Sequence, residues 1–214
     1  MWNRKSTYKF RHHFIFAFLF ANMFLFCQKQ YTNEEYDRLQ SGFTDYFIPK
    51  GQNYSTDSTD IVRVGAVNEM KFQFKFDNTA IYTTADPTNQ GDVNKLYGFA
   101  DCVSFTTLYT IAPHHIHSAR FGWAWQNQAL HIYAYYYTDS VRHFKDLRTV
   151  EIGRAYSAGI KLVPNGYEFT LDNKKDTFPR TCTSTTISGY KLYPFFGGTE
   201  PAPHDVHIGI KEEL

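Results

Sequence analysis

Two runs of the chain, Arg120-Phe-Gly-Trp-Ala-Trp125 and Leu130-His-Ile-Tyr-Ala-Tyr-Tyr-Tyr137, alternate along their length, and the second places His131, Tyr133, Tyr135 and Tyr137, residues capable of chemistry, at every second position. Period-2 alternation makes each run a strand. With Asn127-Gln128 as a two-residue loop, Gln126 pairs with Ala129, Trp125 with Leu130, Trp123 with Ile132 and Phe121 with Ala134. The last three of these pairs are wholly apolar and should face a core. The opposite face sets Ala124 beside His131, Gly122 beside Tyr133 and Arg120 beside Tyr135, with Tyr137 further along. Small residues beside large aromatic ones leave a shallow trough lined by Arg120, His131, Tyr133, Tyr135 and Tyr137. Aromatic planes stack on sugar rings, while guanidinium and imidazole groups hold hydroxyls or carboxylates, so the face suits a carbohydrate. Alternatively, the same side chains pack on one another, a cation–π contact contributing roughly 0.5 to 1 kcal/mol, or lie under the N-terminal arm.

The same five residues admit an enzyme, in which Tyr133 or Tyr135 is the acid and base, His131 its partner and Arg120 the neutraliser of a uronate carboxylate. A phenol begins near a pKa of about 10 and must be lowered for that role. Nothing in the sequence lowers it. Binding needs only the trough and is therefore the leading expectation, ahead of a structural surface protein without a small ligand and of a polysaccharide lyase.

Three further constellations hold ligand-type side chains. Asp86, Asn89, Asp92 and Asn94 lie in one loop with the oxygen donors calcium uses, although their spacing fits no EF-hand and such loops are commonly turns. No cofactor is expected, calcium at this loop being an alternative. Pro113-His-His-Ile-His117 carries three imidazoles, and an extended chain would point His115 and His117 the same way, as a metal requires, with Asp101 nearby as a helper; the more ordinary reading is a surface loop. His204-Asp205 precedes the last apolar run, where Asp205 is expected to cap a turn.

Short strands must position these groups. Phe72, Phe74 and Phe76 alternate with Lys71, Gln73 and Lys75, and Val206, Ile208 and Ile210 with His207, Gly209 and Lys211. Further strands are expected at 80–84, 96–101, 119–126, 130–138, 149–152, 159–163, 167–171 and 189–196, with Asn165-Gly166 a primed turn. No helical period of useful length follows residue 40. The economical architecture is all-β, a two-sheet antiparallel β-sandwich over 61–214. Residues 27–60, polar apart from a helix-like Glu34–Leu39, read as a tether and irregular arm.

The amino terminus differs in kind. Arg4, Lys5, Lys9 and Arg11 precede a 13-residue run, Phe14–Phe26, that is apolar except for Asn22. As a helix it would measure about 20 Å, too short for a hydrocarbon core of about 30 Å. Residues 1–26 are a signal segment, and the chain is expected to be exported. Cys27 follows directly, then Gln28-Lys29-Gln30. This resembles a bacterial lipoprotein signal, which implies acylation of Cys27, a membrane anchor and residence in the cell envelope, at the outer membrane or cell surface. An uncleaved or differently cleaved signal is the alternative, because Phe26 and Phe24 stand where a small and an aliphatic residue usually do.

Beyond the signal, Cys102 and Cys182 are the other two cysteines, and in an exported chain they are expected to pair or, failing that, to be two buried thiols. The whole chain has 22 basic and 21 acidic residues. Four of those basic residues leave with the signal, so the remainder is mildly acidic, and no basic cluster exists for phosphate neutralisation. Nucleic acid is excluded as an expected partner; a glycan and, through the anchor, a membrane remain.

Ser118-Ala-Arg-Phe-Gly-Trp-Ala-Trp125 and Tyr190-Lys-Leu-Tyr-Pro-Phe-Phe-Gly-Gly-Thr-Glu-Pro-Ala-Pro-His-Asp-Val206 resemble exported, often lipid-anchored bacterial proteins with a concanavalin A-like jelly roll, the fold of lectins, glucanases and some polysaccharide lyases. The resemblance covers most of 61–214 and implies the fold. The Glu-x-Asp-x-x-Glu signature of the glucanases and the Tyr-Phe-Lys-Ala-Gly-x-Tyr-Asn-Gln strand of the alginate lyases are absent, so no catalytic residue is carried over.

Overall fold

The structure, a computed structural model, describes residues 42–56, 62–103 and 112–213. The expected signal segment, Cys27 and the expected helix-like Glu34–Leu39 lie outside them. Eleven strands are seen among the described residues: β1 Thr44–Ile48, β2 Glu69–Phe76, β3 Asn94–Ala100, β4 Ser118–Gln126, β5 Ala129–Thr138, β6 Val141–Val150, β7 Ala155–Val163, β8 Gly166–Leu171, β9 Lys174–Pro179, β10 Lys191–Leu192 and β11 Val206–Glu213. They form two antiparallel sheets, β1-β11-β2-β7-β8-β9 and β10-β3-β4-β5-β6.

Alternation drives the layering. Phe72, Phe74 and Phe76 of β2 point inward against Phe121 and Trp123 of β4, with ring centres 5.7 Å apart for Phe72 and Phe121 and 5.0 Å for Phe76 and Trp123. Phe169 of β8 meets Phe121 edge-on at 5.1 Å. Such tilted contacts suit the quadrupoles of stacked aromatic layers and fix how the two sheets interdigitate. Ile208 and Ile210 of β11, next to β2 in the six-stranded sheet, complete the core.

The β4–β5 hairpin has the expected register throughout, from Gln126 opposite Ala129 to Arg120 opposite Tyr135. Asn127 and Gln128 take φ of 50° and 60°, the left-handed pair that a type I′ turn requires. The β7–β8 turn is shifted by one residue from the expected Asn165-Gly166. Val163 pairs with Gly166, so the loop is Pro164-Asn165. Proline fixes its own φ near about −65° and cannot open a primed turn, so the positive φ of 57° falls on Asn165 alone.

Other expectations change with tertiary context. The sandwich starts earlier than residue 61: Thr44–Ile48, inside the stretch read as an arm, pairs with β11. The expected strand at 80–84 is a short 3-10 turn at Asn78–Ala80 followed by irregular chain, because the Asp77 side chain accepts a hydrogen bond from Thr79 N and closes the chain locally. The strand expected at 189–196 shrinks to Lys191–Leu192. β6 and β9, both sheet edges with charged residues, escape the hydrophobic pattern, and only the last residues of β6 coincide with the expected 149–152.

Cys102 and Cys182 are bonded, with Cα atoms 6.3 Å apart. Beside them Asp101 is fully buried and paired with Arg180 Nε at 2.7 Å. It accepts further hydrogen bonds from Tyr167 OH at 3.1 Å and Cys102 N at 2.9 Å. Arg180 also donates to the carbonyls of Cys182 and Ser184. Asp101 is therefore a structural anchor for the disulfide region rather than a helper for the neighbouring histidines.

Candidate functional site

The outer face of the five-stranded sheet gathers all five trough residues. Tyr135 is its centre. The Arg120 guanidinium carbon lies 5.2 Å and Lys95 Nζ 5.3 Å from its ring centre, and Tyr137 meets it edge-on at 6.0 Å. Gly98, the register partner of Arg120, permits this: a Cβ there would sit 2.4 Å from Arg120 Cβ. A bulge in β3 between Lys95 and Gly98 brings Lys95 opposite Gly122 and onto the same face.

The trough floor is fuller than pairing alone implies. Val93 occupies the space over Gly122, where a Cβ would meet Val93 Cγ1 at 2.5 Å, and Val93, Ala124, Tyr133 and Tyr135 pack into a small apolar cluster. Tyr133, Tyr135 and Arg120 consequently form a buried layer, at 6%, 4% and 8% exposure. Above it stand the half-buried Tyr137 and His131 and, from β6, the exposed Arg142, Phe144 and Asp146.

Two cations and, among the described residues, no directly paired carboxylate surround Tyr135. Among the described residues no carboxylate lies within ion-pair distance of Arg120 or Lys95, and Arg120 Nε is buried without a hydrogen-bond partner. Lys95 Nζ donates to the Gly197 carbonyl at 2.6 Å. Burial, reinforced by the Arg120 charge, presses its pKa down to about 8. Burial also lowers the Arg120 pKa, against the nearby phenols. Tyr133 and Tyr135 are pushed up to about 12, in each case chiefly by burial.

At one end of the face His131 Nδ1 and Asp146 Oδ2 are 2.7 Å apart, and Gln126 Nε2 donates to Tyr133 OH at 3.3 Å. The imidazole ring centre is 6.3 Å from that of Tyr133. A carboxylate that fixes an imidazole beside a phenol is an arrangement proton transfer uses. At the other end His114 Nδ1 shares a 2.8 Å hydrogen bond with Tyr190 OH, and burial draws the His114 pKa down to about 4. His115 lies against Tyr137 at 5.5 Å between ring centres.

The histidine run is not extended. Pro113–His115 forms a 3-10 turn, so His114 turns to Tyr190, His115 to Tyr137 and His117 towards Asp139, 3.7 Å away. The calcium candidates are also spread over separate contacts. Asp86 accepts from Thr88 N, Asn89 donates to Glu200 Oε1, Asp92 accepts from Thr199 N, and the buried Asn94 holds Tyr82 OH and Gly197 N. These bonds bind the loop to the Gly-Gly segment near Glu200. Asp205 accepts from Lys50 N, 155 residues away in sequence, rather than from its own turn, while His204 Nε2 contacts the Thr79 carbonyl.

Lys95, Phe144, Asp146 and His115 extend the site beyond what the hairpin reveals. Lys95 reaches the face only through the β3 bulge, and β6 joins through the Asp139-Ser140 turn, whose φ values of 50° and 66° mark a second primed hairpin. That turn was the one local signal available for β6.

No family model and no curated protein matches this sequence. Solved structures do superpose. An alginate lyase, AlyC3, aligns with a TM-score of 0.53 at 10% identity over 81% of this chain and 75% of its own. The same lyase in complex with dimannuronate aligns at 0.51 and 11% identity, over 82% and 74%. A Bacteroides ovatus mixed linkage glucan GH16 protein gives 0.47 at 8% identity, over 80% and 81%. With its two antiparallel sheets and this likeness in chain path, the chain has the concanavalin A-like jelly-roll fold.

Proposed function

We propose that the protein is an exported, lipid-anchored glycan-binding protein that takes a carbohydrate on the outer face of the five-stranded sheet, through Arg120, His131, Tyr133, Tyr135 and Tyr137 with Lys95 and Phe144. The observation that carries this reading is the pair of buried cations, Arg120 and Lys95, around one phenol ring with no carboxylate partner among the described residues. Burying unpaired charge is costly, and a carboxylate-bearing ligand would offset that cost. The favoured ligand class is therefore an acidic glycan, with Tyr137 and the exposed Phe144 as stacking surfaces. Dimannuronate bound to the superposing lyase supports the class.

The His131–Asp146 contact favours a second reading, a polysaccharide lyase. Against it stand Tyr133 and Tyr135, whose raised pKa values keep both phenols protonated at neutral pH and make them poor bases.

The test is a glycan array with the full-length chain, followed by incubation with uronate polymers. Retention of acidic glycans without product supports binding; unsaturated uronate products establish the lyase; an array with no acidic glycan retained refutes the trough reading. Metabolic labelling with a tagged fatty acid decides the anchor: label lost in Cys27→Ser supports it, and an unlabelled wild-type chain refutes it.

A further inference from the structure

Beyond the trough, a cleft of about 480 Å³ opens at the hairpin end of the sandwich, between β5, β6 and the connection that crosses to β7. Its volume is within the range of small-ligand sites, roughly 300 to 1,000 Å³. Trp125, Gln128, Arg148, Glu151, Arg154 and Tyr156 form its working surface.

Unlike Trp123, which is fully buried, Trp125 is half-buried and only packs against the core from its rim, leaving part of its indole to the cleft. Tyr156 is held rigidly: its hydroxyl accepts from Glu151 N at 2.8 Å, and the guanidinium carbons of Arg154 and Arg148 lie 4.8 and 5.5 Å from its ring centre. Arg148 Nη2 donates to Asp172 at 2.6 Å, yet its Nε is buried with no acceptor. Arg154 is more than half exposed and 3.9 Å from the same carboxylate. The cleft therefore offers an aromatic plane, planar bidentate polar groups and an unmet donor. Two arginines are matched by Asp172 and Glu151, so it carries no net charge, in contrast to the trough.

We propose that this cleft is a second glycan site, specific for a neutral sugar. A pyranose ring would stack on Trp125 while its vicinal hydroxyls bridge the forked groups of Arg154, Glu151 and Gln128, and charge balance gives an anion no advantage. The site is independent of the trough reading, sharing none of its residues.

The experiment is fluorine NMR of the full-length chain labelled with 5-fluorotryptophan, titrated at millimolar concentration with tetrasaccharides of glucose, mannose and galactose, and separately with tetramannuronate. The Trp125 resonance is assigned by its loss in Trp125→Phe. A neutral tetrasaccharide should shift it, Arg154→Ala should weaken that binding about tenfold or more, and Arg120→Met should leave it unchanged. Arg154 is solvent-exposed, so its variant will fold, and the undisturbed Trp123 resonance verifies this. The proposal is overturned if no neutral sugar shifts Trp125, if Arg154→Ala binds as wild type does, or if tetramannuronate is preferred. The trough holds no tryptophan, so tetramannuronate binding is read there by calorimetry, and its failure strikes only at the trough.

Discussion

Arg120 and Tyr135 are register partners across β4 and β5, and the guanidinium lies 5.2 Å from the phenol ring centre while Lys95 reaches the same ring at 5.3 Å. One ring thus serves two cations. A desolvated cation–π contact is worth about 2 kcal/mol, less than an unpaired buried charge costs, so the face holds positive potential that a ligand can use.

Replacing Arg120 by Met should therefore leave thermal stability unchanged or raise it by about 1 to 2 kcal/mol, since an apolar side chain of similar volume removes an uncompensated charge. Acidic-glycan binding should fall at least about tenfold by calorimetry. A stability loss above about 2 kcal/mol would show that the guanidinium serves the fold.

Lys95 makes stability pH-dependent in a defined direction. Its folded pKa of about 8 is below the ordinary 10.5, so between these values the unfolded chain binds more protons and stability rises with pH. Below about pH 8 both states carry the proton and the penalty is constant. Tyr133 and Tyr135 act oppositely above about pH 10, where the unfolded chain loses phenolic protons that the folded one retains. Urea melts from pH 8 to 9.5 should show an increase in wild type that Lys95→Met lacks.

The two hairpin tryptophans should respond differently to truncation. Trp123→Ala, at a site with no exposure, should cost roughly 3 to 5 kcal/mol by leaving a cavity. Trp125→Ala at the cleft rim should cost about 1 to 2 kcal/mol, and Tyr137→Ala less than about 1 kcal/mol. Denaturant midpoints would rank them. A reversed order of Trp123 and Tyr137 would contradict the hairpin faces.

The Cys102–Cys182 bond links residues 80 apart in sequence, so its reduction should remove roughly 4 kcal/mol of stability through the unfolded chain. Arg180→Ala should cost about 3 to 5 kcal/mol with the disulfide intact, because the buried Asp101 would lose its ion-pair partner. Thermal melts of oxidised and reduced protein, with and without the substitution, separate the two effects.

Local pattern was sufficient wherever alternation and turn chemistry agree. Asn127-Gln128 between two alternating runs determined the β4–β5 register and with it both faces, because a side-chain period of two leaves no intermediate choice. The Phe72–Phe76 and Val206–Ile210 alternations likewise determined two core strands. Tertiary structure decided what pattern could not encode. β1 forms because β11 offers it an edge, and β6 and β9 are charged edge strands whose pairing, rather than hydrophobicity, holds them. Lys95 faces the trough only because a bulge turns β3, and Val93 fills the floor that Gly122 leaves open. The histidine run curls where Pro113 starts a 3-10 turn, and Arg148, Arg154 and Tyr156 meet only when the chain crosses between sheets. Alternation reports which face a residue occupies; which distant side chain shares that space depends on sheet order and bulges, which are long-range properties of the packed chain.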